Sequence, residues 1–503
     1  MARFAAMSVS EPVAAGLWEK CLHGRKLFFL RLMTFFFFKF FIKSLRFLFF
    51  CFLFYDIIFV MFFSMEVFFM ETLFKIKEKG STVSREIIGG ITTFLAMSYI
   101  LAVNPGMLGS IEGMSFGGVF TATAISAAIA TLIMAFFANM PVALASGMGL
   151  NAFFTYTVCG QMGCSPWFAL TAVLLEGVLF IVLSFFGVRE AIINSIPSTM
   201  KKAVAVGIGL FIALIGLNNA GIVTSSNGTI IGFNAFDKSH ISAIVAIIGL
   251  VITIVLYILK VPGAILIGIA ATTVVGIPFS VTTIPENFKP VSVPQAPFLF
   301  RFDFSNVLTL KFFGVFFTFL FTDIFDTIGT LMGVAEQAKL IDEKGDIPNV
   351  KNALLADAVG TVAGACLGTS TVTSYVESSA GVAAGARTGL SSVVTAGFFV
   401  LALLFTPLFA LVPSCATAPA LIFVGFLMMQ SVTSIKFSEI TDGIPAFITI
   451  LVMPFGYSIS KGIAFGMIAY VISKVAGRKA KEISPVTWIL AAVFVFALAI
   501  KAI

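Results

Sequence analysis

Asp323 and Asp326 stand three residues apart in FTDIFDTIGT, residues 321–330, where the oily run FFGVFFTFLFT at 312–322 gives way. On a helix that spacing puts both side chains on one face. An unpaired carboxylate near the centre of a bilayer costs at least a few kcal/mol, so the pair needs a purpose. Two carboxylates that close do not both ionise cheaply in a low-dielectric cavity. Such groups can hold a coupling proton, and they accept hydrogen bonds from a neutral ligand. Glu176, Asp357 and Glu377 also stand inside apolar segments. For all of these acids the plain alternative is a carboxylate satisfied by backbone and hydroxyls. That alternative weighs more on Glu176 and Asp357 than on Asp326.

A second stretch is too polar for a lipid-facing helix: GTSTVTSYVESSAGVAAG, residues 368–385. Its β-branched part, residues 369–373, reads as a short strand, and a helix resumes over 378–385. Irregular backbone survives at membrane depth where it is buried in protein or lines a cavity. The counterpart upstream is MPVALASGMGLNAFF, residues 140–154, with Gly147, Gly149 and the amide of Asn151. Interrupted segments in corresponding positions of two halves point to a transporter's substrate site. The competing reading is a Gly/Ser packing seam between helices. Around such a site Asn151, Thr373 and Ser378 could bind a ligand's edge, while Phe153 and Tyr375 could cover its faces.

The elements that must position these residues follow from composition. Hydrophobic residues make up 59% of the 503 and charged residues 11%, against roughly 25% charged in a soluble chain. Apolar runs long enough to cross a ~30 Å hydrocarbon core as helices recur from residue 88 onward. They fall near 88–108, 118–138, 142–159, 166–187, 200–217, 241–259 and 262–278. After a Pro-rich connection at 279–306 come 308–333, 351–368, 370–384, 389–411, 416–433, 443–458 and 460–476, with one more at 486–502. Short echoes relate the two sets: Thr-Phe-Leu opens both 93–108 and 318–333, and Pro-Ser opens the fifth and twelfth spans at Pro197 and Pro413. An odd number of spans per repeat inverts the second copy. With the N-terminus inside, Arg189, Lys201, Lys202, Lys260, Lys339, Lys344, Lys351, Arg387 and the basic residues of 474–481 all fall on the inner side, as the positive-inside rule requires.

The net charge of +7 does not mark a nucleic-acid binder, because residues 1–70 alone hold eight Lys/Arg against four Asp/Glu. Cysteines 21, 51, 159, 164, 366 and 415 show no CxxC spacing and read as small packing residues. With His23 and His240 as the only histidines, a histidine metal site or proton relay has little to build on. Nineteen of the 59 phenylalanines fall in residues 1–70, interrupted every few positions by Lys or Arg. This low-complexity bias marks residues 1–69 as a leader that is expected to be non-native, with Met70 (or Met65) the natural start.

From about Met70 to its last residues the chain resembles the adenine/guanine/hypoxanthine permeases, the AzgA-like branch of the nucleobase:cation symporters. The resemblance rests on REIIGGITTFLAMSYILAVNPGML, ALASGMGLNAFF, FTDIFDTIGTLMG and TSTVTSYVESSAGVAAGARTGL, in that order. It implies the uracil-permease fold: an all-α polytopic membrane protein of 7+7 inverted repeats. A core domain would form from spans 1–4 and 8–11 and a gate domain from spans 5–7 and 12–14, with short strands breaking spans 3 and 10. The repeats would be residues 70–278 and 307–476, joined by an extracytoplasmic connection at 279–306 and followed by a basic loop and apolar segment at 477–503. The family places one acid on span 8 and one on span 10, here Asp326 and Glu377. On the spacing of the pair, Asp323 is expected to tune or support Asp326.

The expected function is import of purine nucleobases by proton symport through alternating access, without an enzymatic step or cofactor. Asp326, Asp323 and Glu377 are the candidates for the proton. Guanine presents N1–H and an exocyclic amine side by side, which one carboxylate can accept bidentately. Hypoxanthine keeps N1–H and adenine lacks it, so 6-oxopurines should be preferred. The expected setting is a bacterial plasma membrane with the transporter's N-terminus cytoplasmic. Its partners are the base, protons and lipid, with a homodimer left open and no nucleic acid. An anion transporter of the same fold is the alternative, disfavoured by two acids at the site. An intramembrane aspartyl hydrolase finds no support in the duplication.

Overall fold

Thr82 ends the polar lead-in by accepting from the Arg85 amide, and the first apolar helix, Val83–Met97, starts there. The computed structural model describes residues 71–185, 197–226, 229–234, 240–338, 340 and 349–499. The leader expected at 1–69, and the inner-side residues Arg189, Lys339 and Lys344, lie outside the described residues. Among the described residues, nine helices are at least 18 residues long and apolar enough to cross a membrane. The expected spans appear within a few residues of their sequence limits. The first is broken at Ser98 and Tyr99, where Val83–Met97 passes into Ile100–Leu108.

The expected breaks in the third and tenth spans are present as strands. β1, Leu144–Ser146, leads into a half-helix at Met148–Ala152. Its counterpart β4, Val372–Ser374, leads into the half-helix Ser378–Ala383. The two strands pair antiparallel, Leu144 opposite Ser374, Ala145 opposite Thr373 and Ser146 opposite Val372. Each strand therefore supplies the other's hydrogen bonds at a depth where water does not. Gly147 extends the ladder by donating to Thr371 O at 2.9 Å, and Tyr375 by donating to Ala143 O at 3.0 Å. The helix Val350–Leu367 stops before β4 because Gly368 turns left-handed, φ 95°. A β-carbon there would strike Cβ of Phe298 at 2.7 Å. Between β2, Val223–Ser226, and β3, Thr229–Phe233, an antiparallel pairing forms an additional hairpin.

Two groups of helices result. The core gathers Val83–Leu108, Phe116–Ala138, β1 with its half-helix and Pro166–Phe185, together with Leu310–Gln337, Val350–Leu367, β4 with its half-helix and Gly389–Ala410. The gate gathers Ser198–Asn219, Ile241–Ile258 and Ala264–Gly276 with Ser414–Met429, Ile440–Phe455 and Ile459–Ala476. Small residues let the gate helices close up. Ser198–Asn219 meets Ser414–Met429 where Gly209 faces Gly425, so near that a β-carbon on Gly209 would stand 2.7 Å from the Gly425 carbonyl oxygen. Gly268 rests on Thr253 just as Gly466 rests on Thr449, so the same device recurs in both halves.

The connection at 279–306 lies against the core. Phe298 N and Phe300 N donate to Leu367 O and Cys366 O at 3.0 and 2.8 Å, and Asp303 N donates to Thr171 Oγ1 at 2.9 Å. The last helix, Pro485–Ala499, packs beside Ile459–Ala476 and sets Phe494 against Phe321 of the core, ring centres 5.7 Å apart.

Candidate functional site

Where core and gate face each other, a cavity of about 150 Å³ opens at the ends of β1 and β4. Sites for drug-sized ligands run to roughly 300–1,000 Å³, so this one suits a single small molecule. The core contributes Tyr99, Gly147, Met148, Asp326, Thr373 and Glu377, among others, and the gate closes the other side with Ala205, Val424, Leu427 and Met428. No Lys or Arg stands among the described lining residues.

The Leu310–Gln337 helix brings Asp326 to the cavity while Asp323, one turn away, points into buried protein with 0% exposure. Among the described residues no hydrogen bond reaches the Asp326 carboxylate, and Asp326 lines the cavity, so neither oxygen is committed to a protein donor. Asp323 instead meets Thr327, whose Oγ1 lies 3.2 Å from Asp323 Oδ1, 3.0 Å from Asp357 Oδ1 and 2.9 Å from Thr373 Oγ1. The two neighbouring aspartates thus part roles: one lines the cavity, the other joins a buried cluster behind β4.

Glu377 sits at the start of the Ser378–Ala383 half-helix, 8% exposed, and accepts from the Tyr99 hydroxyl at 2.5 Å. Tyr375 lines the cavity with its hydroxyl committed to Ser146 O at 2.6 Å. Thr373 lines it from β4, tied to Thr327. Asn151, Phe153 and Ser378, expected beside a ligand, do not line the cavity. Asn151 accepts from Ser146 Oγ at 2.6 Å and secures the end of β1. Ser378 Oγ accepts from Ala143 N at 3.0 Å and ties the second half-helix to β1. Phe153 packs edge-on against Phe319, 5.0 Å between centres. Polar groups next to a broken span serve the break first, because its free N–H and C=O groups are close at hand. Glu176, buried, accepts from Thr371 at 2.9 Å, a packing role of the plain kind.

Four polar cavity residues were missed in the sequence: Tyr99, Thr330, Ser374 and Ser431. Ser374 Oγ is buried without a hydrogen-bond partner. Tyr99 had a signal, a polar pair Ser98-Tyr99 inside the first apolar run.

The match of residues 84–465 to the profile of the Permease family decides the matter. The chain belongs to this permease family. It is 41% identical over 431 residues to the adenine permease AdeQ of Escherichia coli (strain K12), covering 84% of this chain and 95% of that one. To the guanine/hypoxanthine permease PbuG of Bacillus subtilis (strain 168) it is 43% identical over 437 residues, covering 85% and 98%. The permease shares its fold with the transmembrane domain of the cyanobacterial bicarbonate transporter BicA, TM-score 0.54 at 14% identity, over 78% of this chain and 97% of that one. It is a transporter, not an enzyme.

Proposed function

We propose that this permease imports purine nucleobases, guanine and hypoxanthine ahead of adenine, by proton symport. The observation that carries the reading is a small core–gate cavity faced by two carboxylates, Asp326 and Glu377, and by no described basic residue. A neutral planar base with N–H groups on its edges suits such a lining, and an anion does not. The names of the relatives, adenine and guanine/hypoxanthine permeases, support a purine. Asp326, with both oxygens available, would accept N1–H and, in guanine, the exocyclic amine. Thr373 and the unpartnered Ser374 hydroxyl offer contacts to the remaining edge, and Tyr375 offers a ring to a face. The coupling proton would reside on Asp326 or Glu377, with Asp323 supporting from the buried cluster.

Alternating access would come from the gate helices Ser198–Asn219 and Ser414–Met429 moving against the core, since they carry the cavity's apolar wall. Asn219 of the gate donates to the Tyr156 hydroxyl of the core at 2.9 Å, a bond that must break when that side opens. The basic residues Lys201, Lys202, Lys260 and Arg387 would lie on the cytoplasmic side.

The test is uptake of labelled hypoxanthine into cells lacking their own purine permeases, at two external pH values, with and without a protonophore. Uptake should rise at lower pH, collapse with the protonophore, be blocked by excess guanine and be lost in Asp326→Asn. Absence of purine uptake from protein shown to be in the membrane would overturn the reading.

A further inference from the structure

The Tyr99–Glu377 bond joins residues 278 positions apart. Tyr99 is 1% exposed and stands at the junction between Val83–Met97 and Ile100–Leu108. Its backbone is fixed between two helix segments and its ring is buried, whereas the carboxylate it meets ends a rotatable side chain. The terminal torsion of a glutamate is broad and soft, so an unrestrained Glu377 could present either oxygen or both. At 2.5 Å the contact lies at the short, strong end of O–H···O⁻ bonds. No other side chain among the described residues hydrogen-bonds to this carboxylate, and Glu377 lines the cavity. Tyr99 engages Oε1, and the residue's own backbone N–H bonds the carboxylate as well, so Oε2, with two lone pairs, is the oxygen that keeps acceptor capacity for a ligand.

We propose that Tyr99 is a positioning residue for recognition: by holding Oε1 it makes Glu377 a single-oxygen acceptor, while Asp326 remains a two-oxygen acceptor. This rests on the purine reading of the cavity. A free purine base carries one N–H on its imidazole edge, which one oxygen matches. Its pyrimidine edge carries N1–H in hypoxanthine and N1–H beside an amine in guanine, which the two oxygens of Asp326 match. The division of labour places discrimination between guanine and hypoxanthine at Asp326. Glu377, aimed by Tyr99, reads the edge that the two bases share.

The experiment compares hypoxanthine and guanine uptake kinetics for the wild type and Tyr99→Phe, normalised to the amount of each protein in the membrane. The substitution keeps the ring and removes the donor. KM should rise for both bases by the same factor, about tenfold for a lost charge-assisted bond, with the maximal rate per molecule nearly unchanged. A KM that does not move overturns the proposal. So does a KM that moves for guanine alone, or a fall in maximal rate and membrane abundance with KM unaltered, which marks a structural residue. Hypoxanthine-induced thermal stabilisation of the purified proteins gives a second reading, and should need about tenfold more ligand in Tyr99→Phe. A wild type that takes up neither base removes the purine reading itself, an outcome distinct from a variant that behaves like an active wild type.

Discussion

Thr327 shows how much one hydroxyl can carry in this fold. It has a single proton to donate and sits among Asp323, Asp357 and Thr373, all at 3.2 Å or less. Both aspartates have 0% exposure, so the cluster is sensitive to any lost partner. Thr327→Val keeps the shape and removes the hydrogen bonds. It should cost about 1–3 kcal/mol of stability, read as a lower unfolding temperature of the purified permease, with Thr327→Ser recovering most of it. An unchanged unfolding temperature would show that the buried carboxylates do not depend on this bridge. Glu86 plays a similar part at the other end of the core. Buried, it accepts from the amides of Arg387 and Thr388 at 2.8 and 3.2 Å, and so satisfies donors at the start of the Gly389–Ala402 helix.

At the scale of elements, the gate depends on glycine where helices cross. Gly209 and Gly425 face one another across two helices from opposite halves of the chain. Gly209→Val would force the crossing apart, and overpacking of this kind costs roughly 1–3 kcal/mol. The expected result is a lower unfolding temperature and weaker uptake at equal membrane abundance. Gly106→Ala is the matched control, because a β-carbon there meets nothing within 4 Å. It should be neutral or slightly stabilising, since alanine is the better helix former. If both variants behaved alike, close approach at the crossing would not be what the glycine supplies.

On the scale of the whole molecule, an ion-pair group holds the C-terminal turn against the gate. The buried Lys474 pairs with Asp442 at 3.2 Å and with Glu482 at 2.7 Å, and Lys479 pairs with Glu439 at 2.7 Å. The Lys474 ammonium holds Glu482 below the usual glutamate range, and Lys479 with Thr441 does the same for Glu439. A carboxylate whose pKa is depressed by folding contributes stability above its unfolded value and loses it as pH falls through the folded one. The clamp should therefore be intact at neutral pH and loosen below about pH 4.3. Both carboxylates are exposed, so salt should weaken it as well. Hydrogen exchange over residues 477–484, corrected for intrinsic rates, should quicken in the wild type at about pH 2.5, well below the ordinary glutamate range. Glu482→Gln should exchange faster already at pH 7, and a wild type unaffected at that low pH would dismiss the clamp.

Class, span positions and the two broken segments were legible in the sequence because they are local. A 20-residue apolar run has few choices in a bilayer, and a run such as Thr-Ser-Thr-Val-Thr at 369–373 reads as strand on its own. Asp326 and Glu377 were legible too, since a carboxylate in an apolar run stands out whatever lies around it. What only the tertiary structure decided is where each polar side chain spends its hydrogen bonds. Asn151 and Ser378 turned to the strands they adjoin, Asp323 to Thr327, and Tyr99 to an acid 278 residues away. Such choices depend on distances across the folded core. The pairing of β1 with β4 sets them, by bringing the two halves of the chain together around one cavity.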